Sequence, residues 1–288
     1  MMKIDNKVCC VIVSYKDYIS LKNTINHIYD QVAKVYVIDN YSNYSYQEIK
    51  ELKSRKNLIF IELEDNLGIA KALNIGVNLA LEEEFKFILT LDQDSQASEN
   101  MIKNMMDIYA KDTNGEIGIV CPKICLSTQV PIIEKSVTLV KVPITSGNLV
   151  RATVFTEIGG YEEKLFIDSV DFDFSLRVSN AGLKIYQVNS ALLFHSLGEK
   201  YSLKILGKNL MDISLHSPLR NYYIFRNHIF ICKQYFTSNF YFCFKKTIFL
   251  IIHSLKNILF HDKKISVTKF SIKGTIDGFL GRYGPFKG

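Results

Sequence analysis

The chain has 288 residues, 48% of them hydrophobic, with 35 Lys and Arg against 29 Asp and Glu for a formal net charge of +6. Such a composition supports a sizeable buried core and excludes a disordered or low-complexity chain. It contains no leader of charged, apolar and small residues in series and no run of about 20 apolar residues, so neither export nor a membrane-spanning helix is expected.

Elements follow in chain order. Val8–Ser14 is a continuous apolar run, as a parallel strand covered on both faces requires. Asp17 is placed to cap a helix whose Leu21, Ile25 and Ile28 share one face. Val35–Ile38 reads as a second strand, ending in Asp39-Asn40, and Leu58–Leu63 as a third. Gly68–Leu81 has helical spacing, Phe87–Leu91 is a fourth strand ending in Asp92-Gln93-Asp94, and a helix from about Glu99 to Tyr109 precedes a strand near Ile117–Cys121. The order predicts an α/β fold, a mostly parallel central sheet with helices on both faces. Lys135–Val150 reads as extended strands, and the chain after Leu219 as mainly helical.

Charge divides along the chain. From Leu219 onward there are 12 Lys and Arg and two Asp, a balance of +10, while the preceding residues carry 23 and 27, a balance of −4. The same tail is rich in Phe and Tyr, and Ile248–Ile252 is flanked by Lys245, Lys246 and Lys256. An interfacial helix on an anionic membrane or a homodimer seam fits this pattern. Nucleic acid does not, because the body is acidic. Cys9, Cys10, Cys121, Cys125, Cys232 and Cys243 show no zinc-type pairing with histidine and read as reduced thiols.

Ligands of open parallel sheets bind beyond the carboxyl ends of the strands. Ser14-Tyr15, Asp39-Asn40 and Asp92-Gln93-Asp94 all fall at such ends. No Gly-rich phosphate loop follows the first strand. A bound diphosphate would therefore be met by a divalent ion, and Asp92 and Asp94, two carboxylates one residue apart, suit that task.

Taken in order, several blocks resemble the family 2 glycosyltransferases with the GT-A (Rossmann-like) fold. They are Val11–Tyr15, Val37–Ser42, Asn66–Gly76, Leu91–Ser95, Ser146-Gly147-Asn148, Gly159-Gly160-Tyr161 and Asp171–Arg177. A narrower resemblance, to the bacterial rhamnosyltransferases of that family, rests on Leu165–Asp168 leading into Asp171, on His195–Gly198, on Ser217–Tyr223 and Phe225-Arg226-Asn227, and on Gly274 to Gly284. It implies a GT-A catalytic domain over residues 1–217, with a nucleotide-sugar half to about 97 and an acceptor half from 98. A basic, aromatic, helical extension over 218–288 would follow.

The resemblance also implies roles. Ser14, Tyr15, Asp39, Asn40, Asn66, Gly68, Lys71, Asp92 and Gln93 would bind the nucleotide sugar, with Asp39 accepting the ring N–H of the base. Asp94, Asp92 and His195 would hold Mg²⁺ or Mn²⁺. Asp171 would be the base of an inverting displacement, although Val170 stands where many members have Glu. Asp168, Asp173, Arg177, Gly147 and Asn148 are candidates for the acceptor or sugar site. Were the acidic stretch helical, Asp168 and Asp171 would share a face, while Asp173 and Arg177 could equally form a simple i,i+4 pair. The implied donor is dTDP-L-rhamnose and the implied acceptor a cell-surface polysaccharide or lipid-linked saccharide, handled in the cytoplasm at the inner face of the membrane. A UDP-hexose donor is the alternative within the fold, and a nucleotide-sugar or polysaccharide binding protein the alternative outside catalysis.

Overall fold

A computed structural model describes residues 5–126, 134–195, 200–205 and 208–287. These residues form two compact units, one of Met1–Phe166 with Val170–Ser196, the other of Ile167–Ser169 with Leu197–Gly288.

In the first unit the strands are β1 (Asp5–Ser14), β2 (Val32–Asp39), β3 (Leu58–Glu62), β4 (Phe87–Asp92), β5 (Ser95–Ala97), β6 (Ile117–Leu126), β7 (Val137–Leu139), β8 (Leu149–Arg151) and β9 (Lys184–His195). Its helices are α1 (Tyr18–Ile28), α2 (Tyr46–Lys53), α3 (Ile69–Glu82), α4 (Met101–Tyr109), α5 (Ala152–Ile158) and α6 (Val170–Asn180). The strands make one sheet in the order β3-β2-β1-β4-β8-β6-β9-β5, with β7 also paired to β9. β1, β2, β3 and β4 run parallel, and β6 is parallel to β9. β8 is antiparallel to both β4 and β6, and β5 and β7 are antiparallel to β9.

The continuous apolar run of β1 has the expected cause. Val8, Cys10 and Ile12 join a core with Leu21, Ile25 and Ile28 of α1. On the other face Val11 packs against Gly76 of α3, where any Cβ would collide with the valine methyls. Helix starts are chemically specified. Asp17 accepts from the Ser20 amide at 3.0 Å to cap α1, and Ser45 and Glu48 form a capping box on α2.

Two expectations are revised. Of Lys135–Val150, only Val137–Leu139 and the residues from Leu149 lie in strands. Helix α6 begins at Val170, so Asp168 precedes it and does not share a helical face with Asp171. Instead Phe166, Asp168 and Ser169 all have positive φ, at 64°, 63° and 65°.

The second unit holds an antiparallel hairpin, β10 (Lys200–Ile205) with β11 (Lys208–Ser214), and three helices. They are α7 (Pro218–Tyr235), α8 (Phe240–Phe260) and α9 (Lys264–Phe279). Ser217 caps α7 and Pro218 occupies its first turn, where a missing N–H costs nothing. Among the described residues no helix is long and apolar enough to cross a membrane.

Candidate active site

The parallel register puts three polar strand ends at one edge of the first unit. Ser14 lies opposite Asp39, and Val13 opposite Asp92. Asp39 is almost fully buried and its carboxylate is well supplied with donors. Ser14 Oγ donates to Oδ1 at 2.8 Å, the Ser42 amide to Oδ2 at 3.0 Å, and Ser42 Oγ to Oδ1 as well. A carboxylate has about four lone-pair positions, so Oδ2 retains one for a further donor. Tyr15 beside it keeps 41% of its surface exposed, with the Lys16 ammonium 4.9 Å from its ring centroid.

The neighbouring side chains build the frame. Gln93 clasps the backbone of Tyr15 twice, accepting from its N–H at 2.6 Å and donating to its carbonyl at 3.0 Å. Thr24 of α1, wholly buried, donates to the Gln93 carbonyl at 2.6 Å and accepts from the Ser95 amide at 3.1 Å. Asn40 donates to Asn66 at 3.0 Å and accepts from the Leu67 amide at 2.8 Å. Gly68, at φ 83°, passes so close to Phe166 that a Cβ would lie 2.6 Å from its ring and carbonyl, and the Ile69 amide donates to that carbonyl at 2.7 Å. Lys71 stands exposed in the first turn of α3.

Asp92, Asp94 and His195 come together, each offering a ligand atom within 4.8 Å of the others. The antiparallel pairing of Ser95 with His195 brings β9 to the Asp-x-Asp turn. His195 Nδ1 lies 3.0 Å from Ser95 Oγ and 3.4 Å from Asp94 Oδ1. Ser95 Oγ is 2.7 Å from Ser146 Oγ, which accepts from the Asp92 amide at 3.0 Å. Two carboxylates and an imidazole are a donor set that suits Mg²⁺ or Mn²⁺, and the hydroxyl chain fixes the histidine ring from behind. Ser196–Gly198, the rest of that sequence block, lie outside the described residues.

Asp171 sits half-buried in the first turn of α6, with Oδ1 accepting from the Phe172 amide at 2.9 Å. Asp173 and Arg177 are engaged with each other at 2.9 Å, and the guanidinium also donates to the carbonyls of Ile158 and Gly160 at 2.8 and 2.6 Å. This pair therefore clamps the loop after α5. Gly147 donates its N–H to Thr90 at 2.7 Å, and buried Asn148 accepts from the Thr90 amide at 3.0 Å. Asn148 Oδ1 has no hydrogen-bond partner among the described residues.

Asp168 belongs to the second unit. Its Oδ1 pairs with Arg220 at 3.3 Å, while Oδ2 is buried without a hydrogen-bond partner among the described residues. Burial raises its pKa above the ordinary carboxylate value, and Arg220 partly offsets that rise. Asn227 of α7 donates to the carbonyls of Ile167 and Asp168 at 2.7 and 2.8 Å and so holds the left-handed run. Sequence reasoning missed Thr24, Ser42, Ser95, Ser146 and Asn227. Ser42, Ser95, Ser146 and Asn227 stood inside blocks that carry the family resemblance but were given no role, and Thr24 carried no signal, since small hydroxyls are common everywhere.

The sheet, its polar carboxyl edge and the Asp-x-Asp turn define a GT-A glycosyltransferase fold. Solved structures agree on the fold. GalNAc-T7 with UDP, GalNAc and Mn²⁺ superposes with a TM-score of 0.58 at 15% identity, over 67% of this chain and 44% of that one, so less than half of its length is matched. S. aureus TarS 1-349 gives 0.55 at 12% identity, over 96% of this chain and 72% of that one. Residues 9–131 match the description "Glycosyl transferase family 2". The dTDP-rhamnosyl transferase RfbF of Shigella flexneri is 31% identical over 96% of this chain and 97% of its own. The low-salt glycan biosynthesis hexosyltransferase Agl10 of Haloferax volcanii is 22% identical over 95% and 91%. This chain belongs to glycosyltransferase family 2 and is a glycosyltransferase.

Proposed function

We propose that the protein transfers L-rhamnose from dTDP-L-rhamnose to a saccharide acceptor by a single inverting displacement. The Asp92–Asp94–His195 group, on the same sheet edge as the Ser14–Asp39–Ser42 cluster, carries the reaction type. Similarity to a dTDP-rhamnosyl transferase along nearly the whole chain supports the donor.

Asp39 accepts the ring N–H of the base and Tyr15 stacks on it. Asp92, Asp94 and His195 hold Mg²⁺ or Mn²⁺, which when bound supplies positive charge against the departing diphosphate. Asp171 takes the proton of the acceptor hydroxyl as it attacks, which is all that inversion demands of a base. The acceptor is a cell-surface polysaccharide intermediate or lipid-linked saccharide, met at the inner face of the cell membrane.

A donor panel tests the reading. Protein is incubated with dTDP-rhamnose, UDP-hexoses and GDP-sugars, with Mg²⁺ or Mn²⁺ or with EDTA, and release of nucleoside diphosphate is followed. Metal-dependent use of dTDP-rhamnose above the others is expected. Preference for a UDP-hexose would favour the hexosyltransferase reading that the Agl10 similarity supports. Undiminished turnover in EDTA would remove the metal.

A further inference from the structure

Two helices of the second unit, α8 and α9, are turned inside out. On α8 the buried positions are Cys243, Leu250, His253 and Asn257, two of them polar. His253 and Asn257 both meet Asn221 Oδ1 of α7, at 2.9 and 3.0 Å. The opposite face carries Phe244, Ile248, Ile252, Leu255 and Leu259, each between 43% and 68% exposed. Helix α9 repeats the inversion. It buries Val267, Gly274, Asp277 and Gly278 and exposes Ile265, Ile272, Ile276 and Phe279. A helix of a water-soluble domain does the reverse. Two such faces exceed the scattered apolar residues normal on a monomer's surface.

Charge decides what covers them. The chain from Leu219 carries 12 Lys and Arg against two Asp. One of those two, Asp277, is buried, and Tyr222, Lys273 and Arg282 engage it at 3.0, 3.2 and 3.4 Å. A second copy would set this positive surface against its like. An anionic bilayer offers hydrocarbon to the apolar faces and headgroups to the lysines together.

We propose that α8 and α9 form a docking face for an anionic phospholipid surface, on which α8 lies in the interface without crossing. Lys245 and Lys256 flank the apolar face on α8 and supply its cationic contacts, whereas Lys246 stands on the side of the helix where its charge acts on His228 of α7. Long lysine stems let the charge reach headgroups while their methylenes stay against apolar surface. The proposal deepens the membrane placement above and rests on it only for its purpose, because lipid binding is measured without turnover.

The test is vesicle flotation of the full chain. The probes are phosphatidylcholine vesicles with and without phosphatidylglycerol. Binding only to the anionic vesicles at low salt is expected, with release at about 1 M salt, where the Debye length is about 3 Å. Lys245→Glu/Lys256→Glu is expected to lower partitioning by about 30-fold or more. Phe244→Asp/Ile252→Asp should also abolish it, while far-UV circular dichroism stays unchanged. Absence of binding to anionic vesicles at low salt overturns the proposal, as does equal binding by both variants. Dimerisation in light scattering that both variants abolish, without vesicle binding, would assign the face to a second copy instead. Nucleoside diphosphate release, measured in parallel without vesicles, fails or succeeds independently and reports on the proposed reaction alone.

Discussion

The proposed displacement rests on one carboxylate, Asp171. Its Oδ1 is held by the Phe172 amide, a contact that asparagine can keep with its own Oδ1. Asp171→Asn should therefore leave the melting temperature and dTDP binding unchanged while transfer falls by about 10²–10⁴-fold, the usual worth of a positioned base. Near-normal transfer by that variant would take the proton from another group. The proposed metal group can be tested apart from the base, because its three members come from the end of β4, the turn after it and the end of β9. Asp94→Ala should weaken manganese binding, read by isothermal titration with the metal alone, and full affinity would exclude Asp94 as a ligand.

Elements show what a linear chain can and cannot announce. β1 to β4, α1, α3 and α4 were legible, and α2 was missed, because a fully covered parallel strand is a continuous apolar run and a longer amphipathic helix repeats at 3.6 residues. Of the antiparallel additions, β5 was missed, and β7 and the start of β8 were read only as part of one longer extended stretch. β5 and β8 are three residues each, too short for a period, and they exist because β4, β6 and β9 offer edges to pair with. Asp92 and Asp94 were legible at a strand end. The Ser95–Ser146 hydroxyl chain behind His195 was not, since it joins residues 51 positions apart. Gly274 was visible only as part of a resemblance, and its physical reason is packing. A Cβ there would run into the Tyr222 carbonyl of α7, a backbone atom that cannot step aside. Alanine would add up to about 1 kcal/mol of helix propensity, but overpacking costs typically about 1–3 kcal/mol. The second should win, so Gly274→Ala is expected to lower the melting temperature. An unchanged or raised value would mean that α7 and α9 can part without loss.

At the scale of the molecule, acid sensitivity is concentrated in one unit. His216, His228 and His253 all have pKa values lowered from 6.5 to about 4, burial being the largest cause in each. Nearby cations add to it, Arg220 at His216, Lys246 at His228, and His216 with Lys256 at His253. A histidine depressed on folding is protonated first in the unfolded chain. Its effect is absent above about pH 6.5, and stability falls as the pH drops from there toward 4. For His253, only 8% exposed, the loss is about 2 kcal/mol at about pH 5. The other two are less buried and add less. Urea denaturation followed by circular dichroism should show the second unit weakening between pH 7 and 5, and His253→Gln should blunt that slope. Stability constant across the range would mean that these rings accept protons in place.

The positive-φ stretch at Phe166, Asp168 and Ser169 stores backbone strain. A chain written for that backbone alone would place glycine at each position, because side chains there cost of order 1–3 kcal/mol apiece. Total stability is only about 5–15 kcal/mol, so the run is a large standing charge on the molecule. Asn227 holds the peptide groups, but nothing in that arrangement removes the steric cost to the three side chains. In a directed-evolution experiment for heat resistance, these are positions where glycine would be enriched.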